Sequence, residues 1–454
     1  MEISDCKGTN FIDPIAGSIV NAWSDAYSYI KEMKQLIEDL YLKRRDLVSA
    51  GFDEALEYIG RQIPLKILRY SSGTECWTWK VPERWSVREA YIATTSGQKL
   101  LDLKDHPLHV ISYSLPINRV VSREELLTHI HTRPDRPNAI PYEFKYYERD
   151  WGFCLQHEKL PQFTESEYRV LIDSSFEPSN LSVGECLIKG KTEETIALVA
   201  HLCHPGQAND DLSGVAVLVD LAKELAVKKP HFTYRLLFVP ETIGSIAYLS
   251  QNEKLVPGFK AGIFLEMLGN NQPFALQHTL QGKTYLDRVA QAVLATQAPN
   301  HIIGPFRSIV GNDEMAFNGP GVDVPMISLS RAKPGFPHYP EYHTSDDTPA
   351  IITEERLVAS RDLVLAVLRV IEEDYVPQRL FKGPVFLSRY GLWVDWRNNK
   401  KLNQFLEQIM LRLEGRQSVF EIAEELGMEF SVVKDYLDKF VENGLIRKLP
   451  LVWR

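Results

Sequence analysis

"HLCHPGQANDDLSG" spans residues 201–214. It gathers two histidines, a cysteine, two aspartates and two glycines between an apolar lead-in, "TIALVA" (195–200), and an apolar continuation, "VAVLVDLAKELA" (215–226). A short apolar run, a polar turn and a helix-periodic run read in order as strand, loop and helix. His201 then ends a strand, and Asp210 and Asp211 stand just before a helix. The loop is either a polar turn or half of a metal site, depending on what else reaches it.

The same alternation continues from about 150 to 375. "YRVLIDSSF", "GECLIKG", "TIALVAHL", "YRLLFVPE", "AGIFLEML" and "VPMISLSR" are strand-like, while "GVAVLVDLAKELAVKK", "YLDRVAQAVLATQ" and "EERLVASRDLVLAVLRVIEEDY" are helix-like. This pattern predicts an α/β domain with a mostly parallel central sheet flanked by helices. Residues 15–60 are helical in pattern, with Tyr29, Met33, Leu36, Ile37 and Leu40 near a 3.6-residue period. Residues 66–136 are rich in Trp, Tyr, Val, Ile and Thr between turn signals and predict a β-rich insertion, closed by the Pro-rich "TRPDRPNAIPYE" (132–143). The C-terminal part reads as three helices and a terminal hairpin or strand, the order of a winged helix-turn-helix. Within it Ser418 and Glu421 fit a capping box, and Asn443-Gly444 a helix C-cap. The expected organisation is an α/β domain over 1–65 and 137–376, a β-rich inserted domain over 66–136 and a winged-helix domain over 377–454.

Composition narrows the function classes. With 44% hydrophobic and 24% charged residues the 454-residue chain resembles an average globular protein. Lys+Arg is 51 against Asp+Glu 60, a net charge of −9, which argues against coating nucleic acid or an anionic membrane. The N-terminus lacks the basic start and apolar core of a secretory signal, and no apolar run approaches the roughly 18–20 residues that span a bilayer. Five scattered cysteines without CxxC spacing read as reduced thiols. A cytoplasmic location is expected; homo-oligomerisation is left open.

In open α/β sheets function collects at the carboxyl ends of the strands. "TIALVA" ends in His201, "YRLLFVP" in Glu241 and "AGIFL" in Glu266; "VPMISLSR" runs on toward "PHYPEYHTSDDTP", which holds His343. Asp210 and Asp211 follow His201. Imidazole and carboxylate together suit zinc, or manganese or cobalt. A carboxylate such as Asp210 can bridge two ions that polarise a carbonyl and activate water, and a further Glu can take that water's proton. The bland reading of Asp210 and Asp211 is that they cap the next helix. Cys203 reads as a small buried thiol.

Four stretches in order resemble the co-catalytic zinc aminopeptidase superfamily, which includes leucyl aminopeptidases and glutaminyl cyclases. "ANDDLSG" (208–214) is similar to their "GADDxxSG", and "FLEMLG" (264–269) to the strand-end "LDMxG". "GNDEMAFNGPGVDVPMISL" (311–329) is similar to "SDHxxFxxxGxPxxxL", and "YHTSDDT" (342–348) to "YHTxxDT". The resemblance implies that His201, Asp210 and Glu266 hold one metal, that Asp210 bridges, and that His343 holds a second. Three departures stand out. Cys203 replaces the aspartate that orients the first histidine, with His204 as a rival ligand. "PETIGS" (240–245) has only Glu241 where the family has adjacent Glu-Glu, so Glu241 serves as base or as ligand. Asp313 and Glu314 replace "DH" and are additional candidates for metal or substrate. The whole chain also resembles bacterial aminopeptidase-like proteins of unestablished substrate that carry a β-rich insertion and a C-terminal winged helix. "SGTECWTWKVPERW" (72–85) and "IPYEFKYYERDWGFC" (140–154) carry that likeness.

The expected function is a hydrolase with one or two zinc ions that cleaves an amide bond of a peptide or peptide-like small molecule. Two alternatives stay open: a non-catalytic binding or regulatory protein on a degenerate peptidase fold, and a single-zinc acyl transferase or cyclase. The candidate reading helix, "EFSVVKDYLDKFVENG", carries Glu429, Asp435, Asp438 and Glu442 against Lys434 and Lys439. Acidic charge there repels phosphate, so nucleic acid is not an expected partner.

Overall fold

The structure is a computed structural model that describes residues 31–453. The helical pattern expected over 15–30, with Tyr29, and the N-terminal signal reading lie outside the described residues.

Burial along the strands explains the central sheet. Every residue of Thr195–His201 is buried, as expected of a strand covered on both faces. The sheet runs in the order Leu65–Ser71, Asn180–Ile188, Thr233–Val239, Thr195–His201, Phe259–Glu266, Met326–Arg331, Phe274–Gln277, Ile302–Gly304. Its centre, from Thr233–Val239 to Met326–Arg331, is parallel throughout. Antiparallel pairings flank that centre on both sides, so the sheet is mixed. The chain leaves Thr195–His201 for the strand on one side of it, then crosses to Phe259–Glu266 on the other. Such a reversal opens a crevice at the carboxyl edge.

The strand-like "YRVLIDSSF" does not join this sheet. As Glu167–Glu177 it is an inner strand of a four-stranded sheet, ordered Lys99–Asp102, Arg84–Thr94, Glu167–Glu177, Ile117–Ser122 and antiparallel throughout. Its burial alternates over its first residues where Thr195–His201 is buried throughout, the mark of a strand with one wet face. Leu65–Ser71, at the start of the β-rich stretch, pairs instead with Asn180–Ile188 in the large sheet.

Helix Leu212–Lys228 packs against Glu354–Glu373, which also packs against Tyr285–Gln297. Beyond the α/β region, helices Lys400–Leu411, Val419–Glu425 and Phe430–Glu442 precede a strand, Ile446–Leu449, that pairs antiparallel with Val376–Arg379. These helices surround their own apolar core, which includes Leu406, Ile409, Val433 and Phe440. Ser418 and Glu421 form the expected capping box, and Asn443 caps Phe430–Glu442. The unit is fastened to the α/β region by polar contacts. Arg288 reaches Glu421 at 3.0 Å, and Asp374 accepts from the Phe420 N–H at 3.0 Å and the Tyr285 hydroxyl at 2.8 Å. Among the described residues, no helix is long and apolar enough to cross a membrane.

Candidate metal centre

The parallel register brings two strand ends together. Val199 lies beside Phe264 and His201 beside Val239, so His201, Glu266 and the turn carrying Glu241 share one edge. The 201–214 loop then folds back over that edge. Asp210 Oδ1 lies 3.1 Å from His201 Nε2, and its Oδ2 lies 3.0 Å from His343 Nε2. Glu266 Oε1 lies 3.4 Å from the same His201 nitrogen. His204 Nε2 faces Glu241 Oε2 at 3.3 Å.

Three groups of donor atoms lie mutually within 4.8 Å: His201, Asp210 and Glu266; His204, Asp210 and His343; and His201, Cys203 and His204. Asp210 belongs to the first two. His201 Nε2, Asp210 Oδ1 and Glu266 Oε2 are buried without a hydrogen-bond partner. Buried polar atoms are normally satisfied. Here His201 Nε2 and Asp210 Oδ1 stand 3.1 Å apart without a hydrogen bond between them, which fits a cation held by both. The donor set, imidazole with carboxylate, also fits. Glu241 and the additional candidates Asp313 and Glu314 belong to none of the three groups. Asp313 Oδ1 instead accepts from the Thr242 N–H at 3.0 Å, and Glu314 is held by Gln277 and the Asn312 N–H. Asn312, one residue earlier, does reach the centre and donates to Glu266 Oε1.

The charges are strongly coupled. Burial disfavours ionised His201, but Asp210, Cys203 and Glu266 around it outweigh burial and raise its pKa well above the usual value. Burial pushes the Glu266 carboxyl up to about 7. Asp210 is held well below the usual carboxylate range: burial opposes ionisation, and His204, His201 and His343 overcome it.

Adjacent aspartates have divided the work. Asp211 accepts from the Gly214 N–H at 2.9 Å as the cap of helix Leu212–Lys228, and from the Met267 N–H at 3.0 Å. The next two N–H groups continue the tie: Leu268 donates to Ser213 Oγ at 2.7 Å and Gly269 to Asn209 Oδ1 at 2.9 Å. The loop bearing Asp210 is thus locked onto the loop after Glu266. Gly214 is required here, because a Cβ would meet Asp211 Oδ1 at 2.4 Å and the Leu265 carbonyl at 2.7 Å.

Two supports were not among the candidate residues, although the second is the aspartate of a matched motif. Arg45 is fully buried and donates to the carbonyls of Leu202, Cys203 (3.1 Å), His204 (2.8 Å) and Gln207 (3.1 Å). Asp347, inside "YHTSDDT", accepts from the N–H groups of Asn209 at 2.8 Å and Asp210 at 3.1 Å and from the Tyr339 hydroxyl at 2.8 Å. His204, Thr242, Met267 and His343 all take positive φ, at 81°, 60°, 56° and 53°. Non-glycine residues rarely do so, and such strain clusters at functional sites.

Aromatic rings wall the centre. Tyr342 stacks on His343 with centroids 3.9 Å apart, and Tyr142 stands edge-on to His204 at 4.9 Å and to His343 at 5.2 Å. Phe336 and Phe144, packed on Tyr342 and Tyr142 respectively, are exposed.

Comparison with known proteins bears on the fold that carries this centre. The chain is 34% identical over 420 residues to a Clostridium acetobutylicum protein provisionally named as a polysaccharide biosynthesis protein with an aminopeptidase-like domain, covering 92% of this chain and 96% of that one. A crystal structure provisionally named as a peptidase from the same organism matches with a TM-score of 0.83 and 32% identity, over 95% of this chain and 100% of the other. A zinc aminopeptidase from Bacillus subtilis matches with a TM-score of 0.57 and 16% identity, over 76% of this chain and 95% of the other, a likeness of fold alone. The model of a family described as a domain of unknown function, DUF4910, matches residues 34–374, and the chain belongs to that family.

Proposed function

We propose that the protein is a zinc-dependent hydrolase of the aminopeptidase type, cleaving an amide bond in a peptide or peptide-like small molecule. One observation carries the reading: the Asp210 carboxylate is shared between His201 and His343, with Glu266 closing on the His201 side. His201, Asp210 and Glu266 would hold one ion, and Asp210 and His343 would contribute to a second. Bound zinc supplies Lewis-acid polarisation of the carbonyl and a water acidic enough to deprotonate near neutral pH. Glu241 accepts a proton from the attacking water and passes it to the leaving amine. Asp313 holds the Thr242 N–H behind Glu241 and so positions that turn. The exposed aromatic rim favours a substrate with an apolar side chain or a ring face. Because the Clostridium relative is named for polysaccharide biosynthesis, saccharides that carry an amide bond join the substrates to test.

The C-terminal unit we read as a winged-helix-like packing module, not a DNA reader. Helix Phe430–Glu442 turns Val433, Tyr436, Leu437 and Phe440 inward, and Lys434 is engaged by Asp438 at 2.8 Å. The described cysteines are all buried and free, which supports a reducing cytoplasm.

The direct test is hydrolysis of a panel of aminoacyl amides, dipeptides and N-acylated amino sugars by zinc-loaded protein. Inertness across the panel would overturn the reading. Glu241→Gln is expected to lower kcat by about 10²–10⁴-fold with zinc content unchanged; loss of an ion would make Glu241 a ligand.

Metal uptake is expected to release protons. His201 and His204 are raised well above the usual histidine range, because their carboxylate and thiol neighbours outweigh burial, and Glu266 sits at about 7. The metal-free centre therefore retains protons near neutrality that a cation must displace. Zinc affinity should rise with pH through neutrality, by about tenfold per unit for each proton released, with Glu266 adding its proton below about pH 7. Calorimetry in buffers of different ionisation enthalpy reads the proton count; zero would contradict it.

A further inference from the structure

Two departures from the resembled motifs meet at one point. Thr242 follows Glu241, so the turn offers no second carboxylate, and the Thr242 N–H is taken by Asp313. Cys203 stands where an aspartate would orient His201. The ring of His204 fills the gap that these changes leave. His204 is grouped with Asp210 and His343, while His201 is grouped with Asp210 and Glu266. His204 Nδ1 lies 3.5 Å from Cys203 Sγ. That sulfur also accepts from the Glu241 N–H at 3.2 Å, so its position is tied to the base-bearing turn.

A ligating histidine almost always gives its other ring N–H to an acceptor, which fixes both tautomer and ring direction. Cys203 provides that acceptor for His204. With Nδ1 donating to sulfur, Nε2 is left unprotonated and able to ligate, in a ring grouped with Asp210 and His343. The ring is further held edge-on by Tyr142, and its backbone, at φ 81°, is held by Arg45 through the His204 carbonyl.

Resting on the metal reading above, we infer that His204 completes the second metal position in place of the missing carboxylate, with Cys203 as the acceptor that orients it. The second position is then two imidazoles and the shared Asp210, with one carboxylate fewer than an adjacent Glu-Glu turn would give. Glu241 is freed from ligation and stands 3.3 Å from His204 Nε2, beside the ion and available for proton transfer. The lost aspartate and the lost glutamate thus become one exchange: Cys203 and His204 together replace them.

The test is zinc stoichiometry and affinity, measured by elemental analysis and competition with a chromophoric chelator on the full chain. The parent protein is expected to hold two ions, and His204→Ala one, retained by His201, Asp210 and Glu266. Should His204→Ala misfold by circular dichroism, His204→Gln keeps a donor toward Cys203 and is expected to hold one ion as well. Cys203→Ala is expected to weaken the second ion by about 10–100-fold and leave the first unchanged. Cys203→Ser, which keeps an acceptor, is expected to recover part of that loss; a merely packing role for the thiol would give the two variants equal affinity. Two ions bound at parental affinity by a folded His204 variant overturn the inference while leaving the metal reading intact. A parent protein that binds no zinc overturns both.

Discussion

Asp210→Ala is expected to empty both metal positions and lower kcat/KM by at least about 10³-fold. The side chain faces His201 with one oxygen and His343 with the other, so removing it takes a donor from each ion at once. Lewis-acid stabilisation of several kcal/mol is lost with the ions, and each ~1.4 kcal/mol is a factor of ten in rate. The neighbouring substitution separates metal from scaffold. Asp211→Ala removes a helix cap and the acceptor for the Met267 N–H, and should lower stability by about 1–3 kcal/mol while both ions still bind. Elemental analysis and thermal unfolding of the two variants decide the matter. Asp210→Ala protein that keeps two zinc ions would refute the shared-carboxylate reading.

Arg45→Ala is expected to be the most destabilising single substitution outside the donor set, by about 3–5 kcal/mol. The guanidinium is fully buried, and burial lowers its pKa to about 10, which leaves it charged at neutral pH. It donates to the carbonyls of Leu202, Cys203, His204 and Gln207, of which the His204 carbonyl also accepts from the Gln207 N–H at 3.4 Å, so its removal strips buried acceptors of a charged donor. Arg45→Lys restores the charge but not the fork, since three donors on one nitrogen cannot span four carbonyls. Thermal unfolding should show a fall of about 3–5 °C for Arg45→Ala and a smaller one for Arg45→Lys. Zinc affinity should fall too, because the same loop carries His201, His204 and Asp210. An Arg45→Ala protein with parental melting temperature and zinc affinity would refute this role.

Much of the centre was legible locally. An uninterrupted apolar strand ending in His201, a helix start after Asp211 and an apolar strand ending in Glu266 each follow from periodicity and capping, which are properties of neighbouring residues. The capping box at Ser418 and the C-cap at Asn443 were legible for the same reason. What stayed hidden depended on which segments lie side by side. "YRVLIDSSF" is as strand-like as its neighbours, but only sheet pairing sends it to the smaller antiparallel sheet. Asp313 and Glu314 carry the expected chemistry, yet the turn of the chain gives Asn312 the contact with Glu266.

By itself, then, the sequence determined which chemical groups stand at strand ends and helix starts, because those depend on local hydrogen bonding and burial period. Only the tertiary structure decided how they are shared out. Asp210 lies between two histidines far apart in the chain because the 342–348 loop is pinned to it through Asp347. His204 turns inward because Arg45, from a distant segment, holds its backbone and Cys203 faces its outer nitrogen. Such contacts join residues with no local pattern in common, and only the packed fold brings them within a few ångströms.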